Sequence, residues 1–379
     1  MRNGFVGVAT PYYVEKGIPY LQSNNIRRNK IDKTQMVYIN KEFHEKHEKS
    51  MLKENDILVV QSGHAGECTV VPKEFEGCNC HALIIMSPKD ITSINSTFCA
   101  YYLNSPVGIK KLFPLITGNT IKHILASEMK KLRINLPSLN EQNKLSHFLS
   151  IIDKKIDLLE NKLQAYMDFK KYLMQQIFAQ KLRFADFTDK WIDCKFKDLG
   201  TVKSGVGFST KYQGHLDLEY NLYKVSDMNL KGNERIMVKS NNTIDDSILK
   251  EMNAKLITEP SIIFAKVGEA IFLNRKRIAN KPFLIDNNMM AFTPNNKVNI
   301  DFMYYLSTTI NFGKYAQTGA LPSYNASDIN TIKCKIPSKE EQEKITAILS
   351  LADAKIDFYS NQLDKTKEFK KGLLQQMFV

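Results

Sequence analysis

The chain has 379 residues, enough for two ordinary domains with full cores and connecting elements. Lysine and arginine outnumber aspartate and glutamate by 53 to 40, a formal charge of +13 that suits a nucleic-acid or other acidic partner, or solubility alone. No window approaches the ~18–20 unbroken apolar residues of a membrane span, the start lacks the apolar core of a signal peptide, and the six cysteines follow no disulfide spacing, so a reduced, cytoplasmic protein is expected.

In chain order, residues 1–137 read as a first globular segment of α+β type, with short β runs at Asp56–Val60 and His81–Met86 and a helical run at Phe98–Leu103. Its loops carry side chains able to reach phosphates or base edges: Gln22, Ser23, Asn24, Asn25, Arg27, Arg28 and Lys30 in one stretch. The turn Gln61, Ser62, Gly63, His64 and the pair Asn119, Thr120 after Gly118 add to that set. For any one of these residues the alternative is a solvated loop position.

Residues 138–180 predict a long helix. Ser138 with Glu141 forms a capping box just after Pro137, and apolar residues then return at alternating steps of four and three, among them Leu149, Ile152, Ile156, Leu159, Leu163, Leu173 and Ile177. About 40 residues at 1.5 Å each span roughly 60 Å, and such a stripe needs a partner helix.

Residues 181–337 predict a second globular segment, with polar and basic side chains of the same kind at Lys224, Ser226, Asp227 and Asn229, at Lys266, in the basic turn Asn274, Arg275, Lys276, Arg277, and at Ser323 and Tyr324 after Gly319. Residues 338–379 predict a second long helix with the seam Ile345, Leu349, Ala352, Ile356, Leu363 and Leu373.

The second half repeats the first. Pro137-Ser138-x-x-Glu141-Gln142 returns as Pro337-Ser338-x-x-Glu341-Gln342, and Phe169-Lys170-Lys171 as Phe369-Lys370-Lys371, an ungapped offset of 200 residues. The globular segments match more faintly. Tyr20–Ile26 lines up with Leu222–Met228, Asp56–Val60 with Pro260–Phe264, Phe98–Leu103 with Phe302–Leu306, and Thr117-Gly118 with Thr318-Gly319. Each helix is therefore the other's natural partner in an intramolecular, antiparallel coiled coil with pseudo-twofold symmetry; a homodimeric coiled coil is the alternative. Lys170 and Lys370 interrupt the seam at equivalent places, either fixing register or extending their ammonium groups to solvent, the second being the more ordinary.

Catalytic signatures are missing. There is no Gly-x-x-x-x-Gly-Lys-Ser/Thr phosphate loop and no Gly-x-Ser-x-Gly nucleophile turn, and Thr10-Pro11-Tyr12-Tyr13 lacks the acid or amide and second proline of an adenine methyltransferase motif. Cys78-Asn79-Cys80-His81 has C-x-C spacing, unlike structural zinc sites, and reads as buried thiols, with no metal expected. Lone His44, His47 and His123 read as surface residues.

The whole plan of domain, long helix, domain, long helix resembles the specificity subunits of type I restriction–modification enzymes. The most specific local likeness is the junction Lys181-Leu182-Arg183-Phe184-Ala185-Asp186-Phe187 through Trp191 to Gly200, which looks like the start of a target recognition domain, together with the Pro-Ser-x-x-Glu-Gln helix starts. The resemblance implies two α/β target recognition domains, each reading half of a split sequence in double-stranded DNA, and paired helices that space them and dock two modification (methyltransferase) subunits. It implies no catalysis by this chain: S-adenosylmethionine, ATP and magnesium would belong to the modification subunits and the restriction motor–nuclease subunits. The seam residues Ile152, Ile156, Leu163, Leu173, Leu349, Ile356, Leu363 and Leu373 are the expected docking helices' core. One departure stands out. With Gly4 at the place of Gly205, the first copy lacks a counterpart of about twenty residues around Trp191. The competing reading is a coiled-coil scaffold that assembles proteins and reads no DNA; a third, a self-sufficient methylase or nuclease, finds no motif.

Overall fold

The computed structural model describes residues 1–317 and 321–378. They divide into two compact units: residues 1–162 with 359–378, and the described residues between 163 and 358. Both divisions fall inside long helices, so each unit holds one globular fold, part of one long helix and the complementary part of the other.

The first unit is built on a four-stranded sheet of β1 (Arg2–Asn3), β2 (Ile57–Val60), β3 (Cys68–Val70) and β4 (Leu83–Met86), in the order β1-β4-β2-β3. Helix α1 (Ser96–Asn104) follows, and α2 (Leu139–Phe178) is the first long helix. The second unit repeats the plan with β6 (Gly200–Ser204), β7 (Ser261–Ala265), β8 (Lys276–Ala279) and β9 (Met289–Pro294) in the order β6-β9-β7-β8. It adds a two-stranded ladder of β5 (Ile192–Lys195) and β10 (Lys333–Ile336), the helix α3 (Ile300–Thr309) and the second long helix, α4 (Lys339–Met377). A parallel pairing recurs as well: Tyr20 lies opposite Asn79 in one unit and Tyr223 opposite Ile285 in the other. The architecture is α+β with an internal repeat.

Central strands β2 and β7 are buried on both faces, which is why they read as unbroken apolar runs. Alternate side chains serve different cores. Val59 and Ile84 face the helical layer with Phe98, whereas Leu58, Val60, Leu83 and Ile85 face the loops with Leu21 and Ile26. In the second unit Phe264 and Met290 face Phe302, and Ile263, Met289 and Ala291 face the other way. This parity places Val60 at the position of Ala265, one residue beyond the Phe264 that the sequence alignment chose. A one-residue slip exchanges every side chain between faces, so the structure corrects that match.

The long helices pack on each other within both units. In the first, Leu149, Ile152 and Ile156 share a core with Leu373, Leu374, Met377 and Phe378; in the second, Leu173 and Ile177 share one with Ile345 and Leu349. Early residues of one helix thus meet late residues of the other, an antiparallel, intramolecular pair. Their starts are anchored alike. Ser138 and Ser338 accept from the amides of Glu141 and Glu341. The buried Gln142 accepts from the Asn95 amide at 2.9 Å and donates to Pro137 O, and Gln342 does the same with Asn299 and Pro337. Asn95 and Asn299 in turn cap α1 and α3.

The seam lysines do not extend to solvent. Lys170 donates to Asp353 and Lys370 to Asp153, across the helix pair in each unit. Tyr305 OH and Tyr101 OH donate to the same two carboxylates, each at 2.6 Å, and each ammonium also sits over its tyrosine's ring. The register-fixing alternative is the one the fold uses.

The stretch before β6 packs into the second unit. In the second unit the Trp191 ring meets Phe178 and Phe302 edge-on, Phe196 and Leu199 are buried, and Arg183 binds Glu341 through two hydrogen bonds. In the first unit, Leu136 is 37% exposed against 7% for Ile336, Glu141 is exposed where Glu341 is buried, and residues 133–136 form no ladder.

Candidate nucleic-acid interface

Three separated stretches of the first unit meet at one end of its sheet. The chain leaves strand Ile18–Leu21, makes a tight turn at Ser23–Asn25, and forms a small hairpin of Ile26–Arg27 with Lys30–Ile31. Beside it the turn after β2 runs through Gln61 to His64, with Gly63 at φ +84°, a conformation that favours glycine. The third stretch is the hairpin of Ile116–Thr117 with His123–Ile124, whose exposed tip carries Asn119 and Thr120. Arg27 approaches the His64 ring at 3.5 Å, and Ser62 hydrogen-bonds the His123 ring at 2.6 Å. Gly63 N donates to Lys122 O at 3.1 Å, closing the surface. Gln22 donates to the Tyr13 hydroxyl and Arg28 pairs with Glu67, both half-free or exposed. Lys30 reaches back to Asp157 on α2, which raises its pKa through that hydrogen bond.

The second unit builds the same turn from different residues. Gly268 has φ +79°, its amide donates to Pro322 O at 2.8 Å, and Val267 bridges to Ser323 as Ser62 bridges to His123. Lys266 takes the place of Gln61. Residues 318–320, with the Thr318-Gly319 match, lie outside the described residues. Lys224 donates to Gln213, and Ser226 and Asn229 are exposed on the turn Val225–Asn229. Arg275 contacts Asn229, joining that turn to the basic one. Arg277 is half-buried, with its guanidinium on the carbonyls of Lys276 and Met228, and burial lowers its pKa.

Five expected contacts are instead internal. Asn25 is buried, accepting from Gln22 N and donating to Asp32 O. Asp227, its counterpart one repeat on, accepts from the Lys224 and Asn241 amides. Lys276 is buried under the Phe312 ring and donates to Asn274 and Ile310 O; desolvation pushes its pKa down to about 7. Asn274 also donates to Ile310 O, so it is spent on the same loop. Tyr324 is buried with its hydroxyl on Ala265 O. These side chains hold the turns in shape and do not present themselves on the surface. His123, read from sequence as an isolated surface residue, is by contrast the link between two of the three stretches.

On the long helices the expected docking residues are likewise inward. Ile152, Leu173, Leu349 and Leu363 are buried and Ile156, Leu163, Ile356 and Leu373 half-buried, so they join helix to helix and helix to domain. Among the exposed apolar residues are three pairs related by 200: Ile151, Leu158 and Phe169 on α2, and Leu351, Phe358 and Phe369 on α4. The sequence signal for them was present as apolar residues off the seam.

The cysteines Cys68, Cys78, Cys80 and Cys99 are free and buried. No helix of the described residues is long and apolar enough to cross a membrane.

A duplicated α+β recognition fold on an antiparallel helix pair defines a class of DNA-specificity proteins, and comparison agrees. A family model described as "Type I restriction modification DNA specificity domain" matches residues 8–165 and again 188–368, so the chain belongs to that family, the type I restriction–modification specificity subunits. Among curated relatives, the type I restriction enzyme MjaVIII specificity subunit of Methanocaldococcus jannaschii is 22% identical over 95% of this chain and 85% of its own. The StySPI specificity subunit of Salmonella potsdam is 23% identical over 98% and 83%. In fold, the type I S subunit of M. genitalium superposes with a TM-score of 0.63 at 17% identity, covering 100% of this chain and 93% of that one. A chain from a structure of type I R-M complex assembly and conformational transition follows at 0.56 and 12%, covering 95% and 91%.

Proposed function

We propose that this specificity subunit reads a two-part sequence in double-stranded DNA, one part with each unit. The observation that carries this is the shared turn: Gly63 and Gly268 hold the same backbone against the same neighbouring strand, while the side chains on it differ. Gln61, Ser62 and His123 in one unit answer to Lys266, Val267 and Ser323 in the other, so one scaffold offers two donor–acceptor patterns. Arg27, Arg28, Gln22, Ser23, Asn24, Asn119 and Thr120 complete the first surface. Lys224, Ser226, Asn229 and Arg275 complete the second. Arginines and lysines set affinity on phosphates, and the amides and hydroxyls set sequence.

The long helices, continuous from one unit into the other, set the interval between half-sites. Half-sites about one helical turn apart, roughly 34–36 Å, lie on one side of the duplex. Two modification subunits dock on the exposed apolar rows headed by Ile151 and Leu351, methylating adenine with S-adenosylmethionine. A restriction subunit with ATP and magnesium cleaves, and this chain contributes no catalytic group. The assembly works in the cytoplasm.

Salt titration of DNA binding tests the reading against the protein scaffold. Phosphate contacts make log K fall with log salt at a slope near −0.9 per contact. A steep fall is expected; a flat line would favour the scaffold.

A further inference from the structure

Cys194 and Cys334 stand directly opposite each other in the antiparallel ladder of β5 and β10. Their Sγ atoms are 3.5 Å apart, and the Cys194 thiol also lies 3.5 Å from the Cys334 carbonyl. Facing Cα atoms in such a ladder are about 4.5–5.5 Å apart, inside the roughly 4.4–6.8 Å that a disulfide spans. Small rotations about the Cα–Cβ bonds therefore suffice to bring the sulfurs together. Both residues are half-buried, unlike the four fully enclosed cysteines of the first unit. The pair has no counterpart there, where Ile134 takes the place of Cys334.

We propose that Cys194 and Cys334 form a reversible disulfide, made by exchange with a low-molecular-weight disulfide, that staples the Trp191 segment to the strand leading into α4. The thiolate of Cys194, the less enclosed of the two, attacks one sulfur of the small disulfide and releases one small thiolate. The thiolate of Cys334 then attacks Cys194 Sγ and expels the second. Two protein S–H bonds and one small S–S bond are replaced by one protein S–S bond and two small thiols, which take up the two protons. The protein sulfurs are oxidised and the small disulfide is reduced. Burial raises both thiol pKa values, so exchange quickens as pH rises. The closed loop holds residues 195–333, nearly all of the second globular fold, and the Trp191 ring lies three residues before the staple, edge-on against Phe178 and Phe302. Oxidation then tightens the second unit and leaves the first untouched.

The test incubates the full chain with excess oxidised glutathione. Expected are the loss of two of the six alkylatable thiols, an intact mass lower by two hydrogens, a proteolytic fragment joining Cys194 to Cys334, and full recovery with dithiothreitol. The native chain should also unfold at higher temperature when oxidised, a shift absent from Cys194→Ala and Cys334→Ala. A thiol count that stays at six, or a chain that stops at glutathione adducts with no joined fragment, overturns the proposal. So does a rise in unfolding temperature on oxidation that persists in either variant.

Discussion

Lys170 reaches across the helix pair to Asp353, and its duplicate Lys370 reaches to Asp153, so one bond is made twice with the helices exchanging roles. Each carboxylate also receives a tyrosine hydroxyl from its own unit's globular fold. The contact thus ties helix to helix and both to the recognition fold. A seam slipped by a turn in either helix would part each lysine from its carboxylate.

Replacing Lys170 with Met keeps the stem's packing but leaves Asp353 with Tyr305 and the Arg235 guanidinium at 3.9 Å. A hydrogen bond to a charged group contributes about 1.5–3 kcal/mol, so the urea midpoint should fall by about 2 kcal/mol equivalent. Lys170→Asp combined with Asp353→Lys should recover part of the loss of Lys170→Asp alone. Costs as small as those of exposed ion pairs, with no recovery, would remove the contact from the account.

Lys276 gives a pH signature. It starts near 10.5 in the unfolded chain and is held at about 7 in the fold. Between those values the unfolded chain binds a proton that the folded one does not, so stability rises with pH across that window, and the penalty is complete below it. The groups facing the amine, Asn274, Ile310 O and the Phe312 ring, carry no charge to offset this. Lys276→Met should flatten the rise and raise the denaturant midpoint at pH 6. Parallel curves for the two proteins would show that the amine stays charged.

Equivalent substitutions should act unequally on the two units. Ile336→Asp puts a charge beneath the Trp191 segment and should cost about 3 kcal/mol or more. Leu136→Asp, at an already open position, should stay within about 1 kcal/mol. Equal losses in thermal unfolding would mean the first unit's surface is covered in solution.

Surface and interior candidates should separate by assay. Arg27→Ala and Arg275→Ala should leave the fold intact and reduce the salt slope of DNA binding by about one each. Asn25→Ala and Asp227→Ala should instead lower stability through lost caps of the turns. A salt slope unmoved by either arginine would take that residue off the interface.

The helices were legible because an ungapped 200-residue repeat and a heptad seam are both one-dimensional signals. So was the two-unit plan. What the sequence could not deliver was which face each polar residue takes. Lys276 and Ile278 lie two apart on one strand and point the same way, so a strand assignment would have turned the lysine inward, whereas a turn assignment left it outside. Asp227 sits three residues past Lys224, the spacing of a capping carboxylate, yet the same residue type on a free loop would look identical. The Ser62–His123 link joins residues 61 apart, and nothing local announces it.

Selection of bound fragments from a random-sequence DNA pool, with modification subunits present, tests the central claim most directly. A two-part motif should be enriched, its halves separated by a fixed number of unspecified base pairs. A single contiguous motif, halves at variable separation, or no enrichment would contradict the reading of DNA by two units at a set interval.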